Sequence, residues 1–423
     1  MASRFQVSRF SRDVLTLVTG TTAGQAIPFL MLPVLTRLYS EADFGLLTTY
    51  TATSLLFARV ASLKYEFAIV LEKDPEGRAN LTFFGLLLAF SMALLVGATV
   101  FILRPWLDQQ GWNELGHLLY LVPLTVVAVG AYEVLNYRMN SQGRFKTIAG
   151  SKLMQSGLAE GAKLGGGLRQ WGVGLVWGRV VGEVAALCYM VTLSWRGLAQ
   201  DWKLVKRQKV WSLAVKHRDF LRYSTPSAFL GSTLINFLYA WLLGYYFGKE
   251  VLGNVGLATG YVSVGLGIIS RSFAQVYYKE LAGLHTQEEL RKVYQKHMLR
   301  LFAVSASLVI GAYLVPSTVV VWLLGDQWTN LMDYLRIVII WISISFVSSS
   351  LSFIYIRLRR QRTMMYFDGL HLLMVAVGIS GGYAWFGTVK PTLWCYTIAQ
   401  SVFYLLAIVL AFVFINRFRP ESQ

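Results

Sequence analysis

Runs of about 20 apolar residues, the length that crosses the hydrocarbon of a bilayer, recur along all 423 residues of the chain. The cations between them are sorted. Of 39 Lys and Arg residues, 29 fall on one set of alternating connections, 6 on the other set, and 4 inside the apolar runs. A chain patterned in this way can satisfy its backbone polar groups in lipid only by folding into helices. Twelve runs are legible, at about 14–36, 44–66, 79–103, 115–137, 148–168, 173–195, 224–247, 251–274, 300–324, 334–356, 364–388 and 391–415, with cations close to a run's end counted on the adjoining connection. The chain is therefore read as an all-α polytopic membrane protein of about 12 transmembrane helices in two six-helix bundles.

Composition agrees. Hydrophobic residues make up 55% and charged residues only 14%, where a soluble domain carries roughly a quarter charged. The formal net charge of +17 is concentrated in short connections beside apolar runs. The positive-inside rule accounts for it, and no basic, aromatic-interleaved module points to nucleic acid. The cation-rich side carries Lys73 and Arg78, the stretch from Arg138 to Lys152, eight cations from Arg196 to Arg222, and Arg417 and Arg419. The other side carries Arg37, Arg104, Arg169, Lys249, Arg336 and Lys390. Both termini are thereby expected in the cytoplasm. The basic Met1–Arg12 segment reads as the flank of a first span that is retained, since no small-residue cleavage site follows.

The longest basic connection divides the chain into an N-terminal bundle (1–195), a linker (196–222) and a C-terminal bundle (223–423). Trp195, Trp202 and Trp211 suit the headgroup interface there. A weak internal repeat supports two like halves. Leu38–Gly45 follows the first run and Tyr246–Gly253 follows the seventh, as parallel repeats would place them.

Cys188 and Cys395 lie in apolar runs and make no disulfide framework or thiolate metal site. No Walker A motif or HExxH occurs, and no metal or other cofactor is expected. No outer connection is long enough to hold a catalytic domain, so the chain is not expected to be an enzyme. The glycines of the eighth run, Gly253 to Gly267, are expected to pack helices closely.

Charges inside apolar runs are costly and mark pathways. All of the clear ones lie in the first half: Arg59, Lys64, Glu66, Glu133, Glu160, Lys163, Arg179 and Glu183. Glu160 and Lys163 are spaced i,i+3, and Arg179 and Glu183 i,i+4, so each pair can neutralise itself on one helix face. Lys64 and Glu66 lie near enough to a span end to snorkel. Arg59 is deeper, with no partner on its own helix. Arg138 stands one turn and more beyond Glu133 and is a candidate to hold it. Pro28 and Pro33, with Gln25 one turn earlier, are expected to kink the first helix and serve as a gate.

The segments Phe10–Leu17, Pro33–Ser40 with Asp43-Phe44-Gly45, Lys64–Leu71, and Leu135–Asn140 with Arg144-Phe145-Lys146 resemble the Wzx-type oligosaccharide flippases of the MOP exporter superfamily. That resemblance implies a V-shaped transporter of a bacterial inner membrane. Its substrate would be a polyprenyl-pyrophosphate-linked oligosaccharide for O-antigen, capsule or exopolysaccharide, moved from the cytoplasmic to the outer leaflet by alternating access. Partners would be that lipid-linked glycan, membrane lipids and other polysaccharide-assembly membrane proteins. A pyrophosphate needs cations to offset its desolvation. Arg59, Lys163 and Arg179, with Lys64 at the mouth, are therefore assigned to the anionic headgroup. Glu66 and Glu133 are candidates for a coupling ion, with H+ and Na+ left open. A MATE-like drug antiporter would instead need acidic groups where Arg59 stands. A glycan polymerase or ligase would need a large outer loop. A membrane scaffold would have no use for buried cations in one bundle.

Overall fold

Helices account for all the regular structure of the described residues, with no strand among them. In hydrocarbon each backbone N–H and C=O must find a partner within its own segment, and only helices and closed barrels provide that. A computed structural model of the chain describes residues 9–109, 115–284, 286–358 and 360–418. It divides into two compact units, the first up to Thr233 and the second from Leu234.

The first unit begins with α1 (Arg9–Leu38), α2 (Glu41–Ala58), α3 (Glu66–Leu71) and α4 (Pro75–Gln109). A 3-10 turn at Gly116–Leu121 leads into α5 (Val122–Ser141), followed by α6 (Phe145–Leu168), α7 (Gly174–Trp202) and α8 (Arg207–Lys216). A π-helical stretch broken by the short α9 (Thr225–Ala228) leads out of the unit. The second unit holds α10 (Leu234–Ala282), α11 (Gln287–Leu314), α12 (Ser317–Leu324) and α13 (Leu331–Leu351). It ends with α14 (Phe353–Arg357), α15 (Gln361–Ala376), α16 (Gly382–Phe386) and α17 (Val389–Asn416).

By length and composition, eight of the described helical stretches can cross a membrane. One of them, Phe220–Ser270, covers the seventh and eighth predicted runs. Its bend is at Gly248, with φ 79° and ψ 178°, a conformation closed to residues with a Cβ. The predicted runs without a place in that set are α1, α2 and α6. Of these, α2 and α6 are more polar, and α6 packs against α1 and α7.

Two expectations about helix shape are corrected. The second predicted run, 44–66, is not one helix: α2 stops at Ala58 and seven residues of turn precede α3. The ninth, 300–324, is cut where Val315 becomes extended ahead of Pro316, because proline drives the preceding residue out of the helical region. In α1 the two prolines do not end the helix. The helix runs through Pro28 and Pro33 to Leu38, and Thr36 Oγ1 donates to the carbonyls of Leu32 at 3.0 Å and Pro33 at 3.3 Å.

Two of the five glycines of the eighth run, Gly260 and Gly267, do not serve the close packing expected there. A Cβ at Gly260 or Gly267 of α10 would meet nothing within 4 Å. In α7, by contrast, a Cβ at Gly178 would lie 2.8 Å from the Ala159 carbonyl oxygen, and one at Gly182 2.7 Å from that of Gln155. These two glycines let α6 and α7 approach backbone to backbone. They set the height at which Arg179 and Glu183 project.

The Leu38–Gly45 motif is a built turn. Ser40 and Asp43 cap α2 reciprocally, at 3.2 Å and 2.9 Å. Buried Tyr39 donates its hydroxyl to the Lys163 carbonyl at 2.6 Å, tying that turn to α6.

Candidate functional site

The interruption after Ala58 lies in the predicted second run and carries two of its charges, Arg59 and Lys64, with Glu66 opening α3 directly after it. From Arg59 to Tyr65 the chain proceeds by tight turns: Val60 N–H donates to Phe57 O at 3.1 Å, Leu63 to Val60 at 2.9 Å, and Tyr65 to Ser62 at 3.1 Å. Leu63 and Lys64 sit at φ 50° and 62°, in the left-handed region that costs residues with a Cβ about 1–3 kcal/mol each. Such strain persists only where its surroundings fix it. Here Tyr65 is buried, donates to the Ala214 carbonyl at 3.0 Å and meets Phe84 edge-on at 5.0 Å. Ala68, Ile69, Leu81, Val134, Leu213 and Ala214 complete that core.

Glu66, 2% exposed, closes the turn. Its Oε2 accepts from the Ser62 hydroxyl and its Oε1 faces Lys64 Nζ at 3.5 Å. Both oxygens are engaged within the turn, and Lys64 also stands over the Phe67 ring at 5.5 Å.

Arg59 is the last cap residue of α2 and its side chain is exposed. It lies in electrostatic range of Glu133 on α5 and Arg179 on α7. Tyr137, one turn beyond Glu133, feels both Glu133 and Glu66 and meets Phe67 edge-on at 5.1 Å. On α7, Arg179 donates to Glu183 Oε1 at 2.8 Å. Tyr50 of α2 and Thr125 of α5 share a hydrogen bond of 2.7 Å beside that pair. Lys152 of α6 is in range of Glu183 and stands 4.4 Å over the Tyr132 ring. Charged groups thus follow one another within electrostatic range, from Glu66 at the start of α3 and Glu133 on α5, through Arg59 at the end of α2, to the Arg179–Glu183 pair on α7.

The other sequence-assigned residues sit apart. Lys163 donates to Glu160 at 2.6 Å on α6, against the Tyr39 turn. Gln25 on α1 is half-buried, with a buried Oε1 that meets no hydrogen-bond partner. Pro28 and Pro33 are half-buried in the same helix. Arg138 does not hold Glu133. It is 4% exposed and its Nε donates to Asp201 at 2.8 Å, fastening the end of α5 to the end of α7.

Sequence reasoning missed Ser62, Tyr50, Thr125, Tyr137 and Lys152 as members of this cluster. It missed the helix break as well. Arg59-Val60-Ala61-Ser62-Leu63-Lys64-Tyr65 contains neither glycine nor proline, so no local signal marks it. Spacing did foreshadow the two helical ion pairs.

Comparison with known proteins places this geometry. A family model described as polysaccharide biosynthesis protein matches residues 34–333. No curated protein matches the chain by sequence. Among solved structures, the chain is similar to an inward-facing multidrug resistance MATE family transporter of the MOP superfamily, at 15% identity and a TM-score of 0.66, covering 97% of this chain and 96% of that one. It is likewise similar to a MOP superfamily transporter from Pyrococcus furiosus whose binding pocket is described as reversed in polarity, at 15% identity, a TM-score of 0.61, and coverage of 96% and 95%. The outward-facing MATE transporter aligns at a TM-score of 0.54, with 15% identity and coverage of 95% and 89%. These likenesses establish the MOP transporter fold for a multi-pass helical chain, and the span of the family match makes it a member of the polysaccharide biosynthesis protein family.

Proposed function

We propose that the protein is a flippase. It moves a polyprenyl-pyrophosphate-linked oligosaccharide from the cytoplasmic to the outer leaflet of a bacterial inner membrane by alternating access, with both termini in the cytoplasm. The observation that carries this reading is the cluster around the helix break. Arg59, exposed and at a chain interruption, shares its surroundings with a second guanidinium, Arg179. Two guanidiniums held near each other within apolar spans suit a diphosphate, whose oxygens take forked, charge-assisted hydrogen bonds. Irregular backbone at membrane depth is tolerated where it borders protein or a polar cavity, and interrupted helices are where transporters place charged cargo.

In this reading Arg59 and Arg179 bind the headgroup. Lys64 is a lesser contact, because Glu66 and the Phe67 ring already hold it. Lys163 meets the substrate only if its bond to Glu160 opens. Glu66 acts as the staple of the turn, leaving Glu133 as the coupling candidate beside Arg59. The coupling ion, H+ or Na+, is set by this carboxylate chemistry. The family's association with polysaccharide biosynthesis supports a saccharide-bearing cargo. The test is deletion of the protein followed by leaflet-resolved analysis of lipid-linked glycan. Accumulation on the cytoplasmic side is expected; unchanged display of surface glycan ends the reading.

A further inference from the structure

Glu183 is a buried carboxylate that headgroup binding alone does not use. It is 5% exposed. Its Oε1 takes the Arg179 guanidinium at 2.8 Å, while Oε2 is buried and meets no hydrogen-bond partner. Arg179 Nε is buried and unpartnered too. The pair therefore leaves Nε and Oε2 unjoined. A forked guanidinium–carboxylate pair would fill both. The groups that face Glu183 are Arg179 from its own helix, the Thr125 hydroxyl from α5 and Lys152 from α6. Tyr50 stands behind Thr125 on α2, and Arg59 lies beyond Arg179.

We propose that Glu183 takes up one proton when Arg179 passes from it to an anionic headgroup. This rests on the reading that Arg179 meets a diphosphate. The argument is one of competition. A guanidinium that turns its fork to a phosphate withdraws from the carboxylate. Glu183 would then be an unpaired buried anion facing a second anion, the least favourable arrangement for a charge out of water. A proton from the aqueous side adding to Oε2 removes that charge as the ion pair to Arg179 opens. When the headgroup leaves, the proton departs and the pair re-forms. Atoms and charge balance without any other reactant. Glu160 has the same half-used carboxylate, with Oε2 buried and unpartnered. Its cation, Lys163, stands with the Tyr39 turn and not with Arg59, so the exchange is assigned to Glu183.

The consequence is linkage. Headgroup affinity falls by up to about tenfold per pH unit once Glu183 is ionised in the free protein, and a proton gradient gains a hold on substrate release.

The purified full-length protein is titrated with geranyl diphosphate in a calorimeter, in buffers of different ionisation heat. This counts protons taken up per ligand bound. Protons belonging to the ligand cancel between the wild type and Glu183→Gln, whose side chain keeps the shape without the charge. The expected result is about one proton fewer in Glu183→Gln, with binding retained. In the wild type alone, infrared difference spectra should gain a carboxylic acid C=O band on ligand addition. Equal proton counts with binding intact, or no such band in the wild type, overturn the role of Glu183 and leave the headgroup reading standing. A wild type that does not bind geranyl diphosphate overturns both.

Discussion

The two units are built from the same kind of helix and held together by different chemistry. In the first, the inner polar groups are charged and linked: Arg138 with Asp201, Arg179 with Glu183, Lys163 with Glu160, and Lys64 with Glu66. In the second, hydroxyls and rings predominate among the described residues, beside the His297–Glu280 and Lys390–Asp333 contacts, both at 2.7 Å. Ser305 donates to the Ser343 carbonyl at 2.7 Å and Tyr294 to that of Ile408 at 3.0 Å. His371 bonds Gln400 at 2.6 Å and stacks on Phe403 at 4.0 Å. Tyr246 stacks on Tyr383 at 4.2 Å. Neutral groups satisfied on backbone carbonyls cost little in hydrocarbon and specify packing. Buried ion pairs are poor stabilisers compared with apolar packing of the same volume. Several such pairs in one unit suit recognition or exchange, and the proposed headgroup site lies among them.

The contrast is open to breakage by substitution, beginning where the effect is largest. Arg138→Ala leaves Asp201 without its partner and removes the strut between α5 and α7. A loss of about 3–5 kcal/mol is expected, read as sharply reduced accumulation and a lower melting temperature in detergent. Arg59→Ala should behave in the opposite way. Its side chain is exposed at a chain interruption, so protein level and melting temperature should hold while surface glycan is lost by at least tenfold. In the second unit, His371→Ala should cost about 1–3 kcal/mol through an unpaired Gln400 and a lost ring contact. Transport per surviving molecule should be unchanged. A transport defect there without a stability defect would erase the distinction between the units.

The smallest effect concerns α8. Lys216 donates to Glu72 at 2.7 Å, Lys206 faces Glu76 at 2.9 Å, and Lys209 faces Asp74 at 3.6 Å. These contacts clip the basic segment against the turn after α3. The Lys216 ammonium holds the Glu72 carboxyl below the usual carboxylate range, against the opposing push of burial. A depressed carboxylate stabilises the fold at every pH above its ordinary range and loses that contribution as pH falls toward its folded value. Glu72→Gln should therefore lower stability by roughly 0.2–1 kcal/mol near neutrality. It should also flatten the acid side of the melting-temperature profile. An unchanged profile would mean that the clip contributes nothing.

Much of this fold was legible before any coordinates, because helix length and cation sorting follow from the bilayer itself. The pairs Glu160–Lys163 and Arg179–Glu183 were legible for the same kind of reason: i,i+3 and i,i+4 spacing is local geometry. Arg138 was misassigned because its partner, Asp201, is 63 residues away, and nothing local distinguishes it from the nearer Glu133. The break at Arg59–Tyr65 was invisible. Its left-handed residues are Leu63 and Lys64, held by Tyr65 reaching Ala214 across 149 residues. The proline pair of α1 is carried inside one continuous helix.

The central claim is that Arg59 and Arg179 carry an anionic lipid headgroup. It is tested most directly by reconstituting the wild type and Arg59→Ala in proteoliposomes with a diphosphate-linked prenyl saccharide placed in one leaflet. Its appearance in the other leaflet is followed with an impermeant reagent for the saccharide. The account predicts transfer by the wild type and none above the protein-free rate by Arg59→Ala at equal incorporation. Equal transfer by both proteins would contradict it.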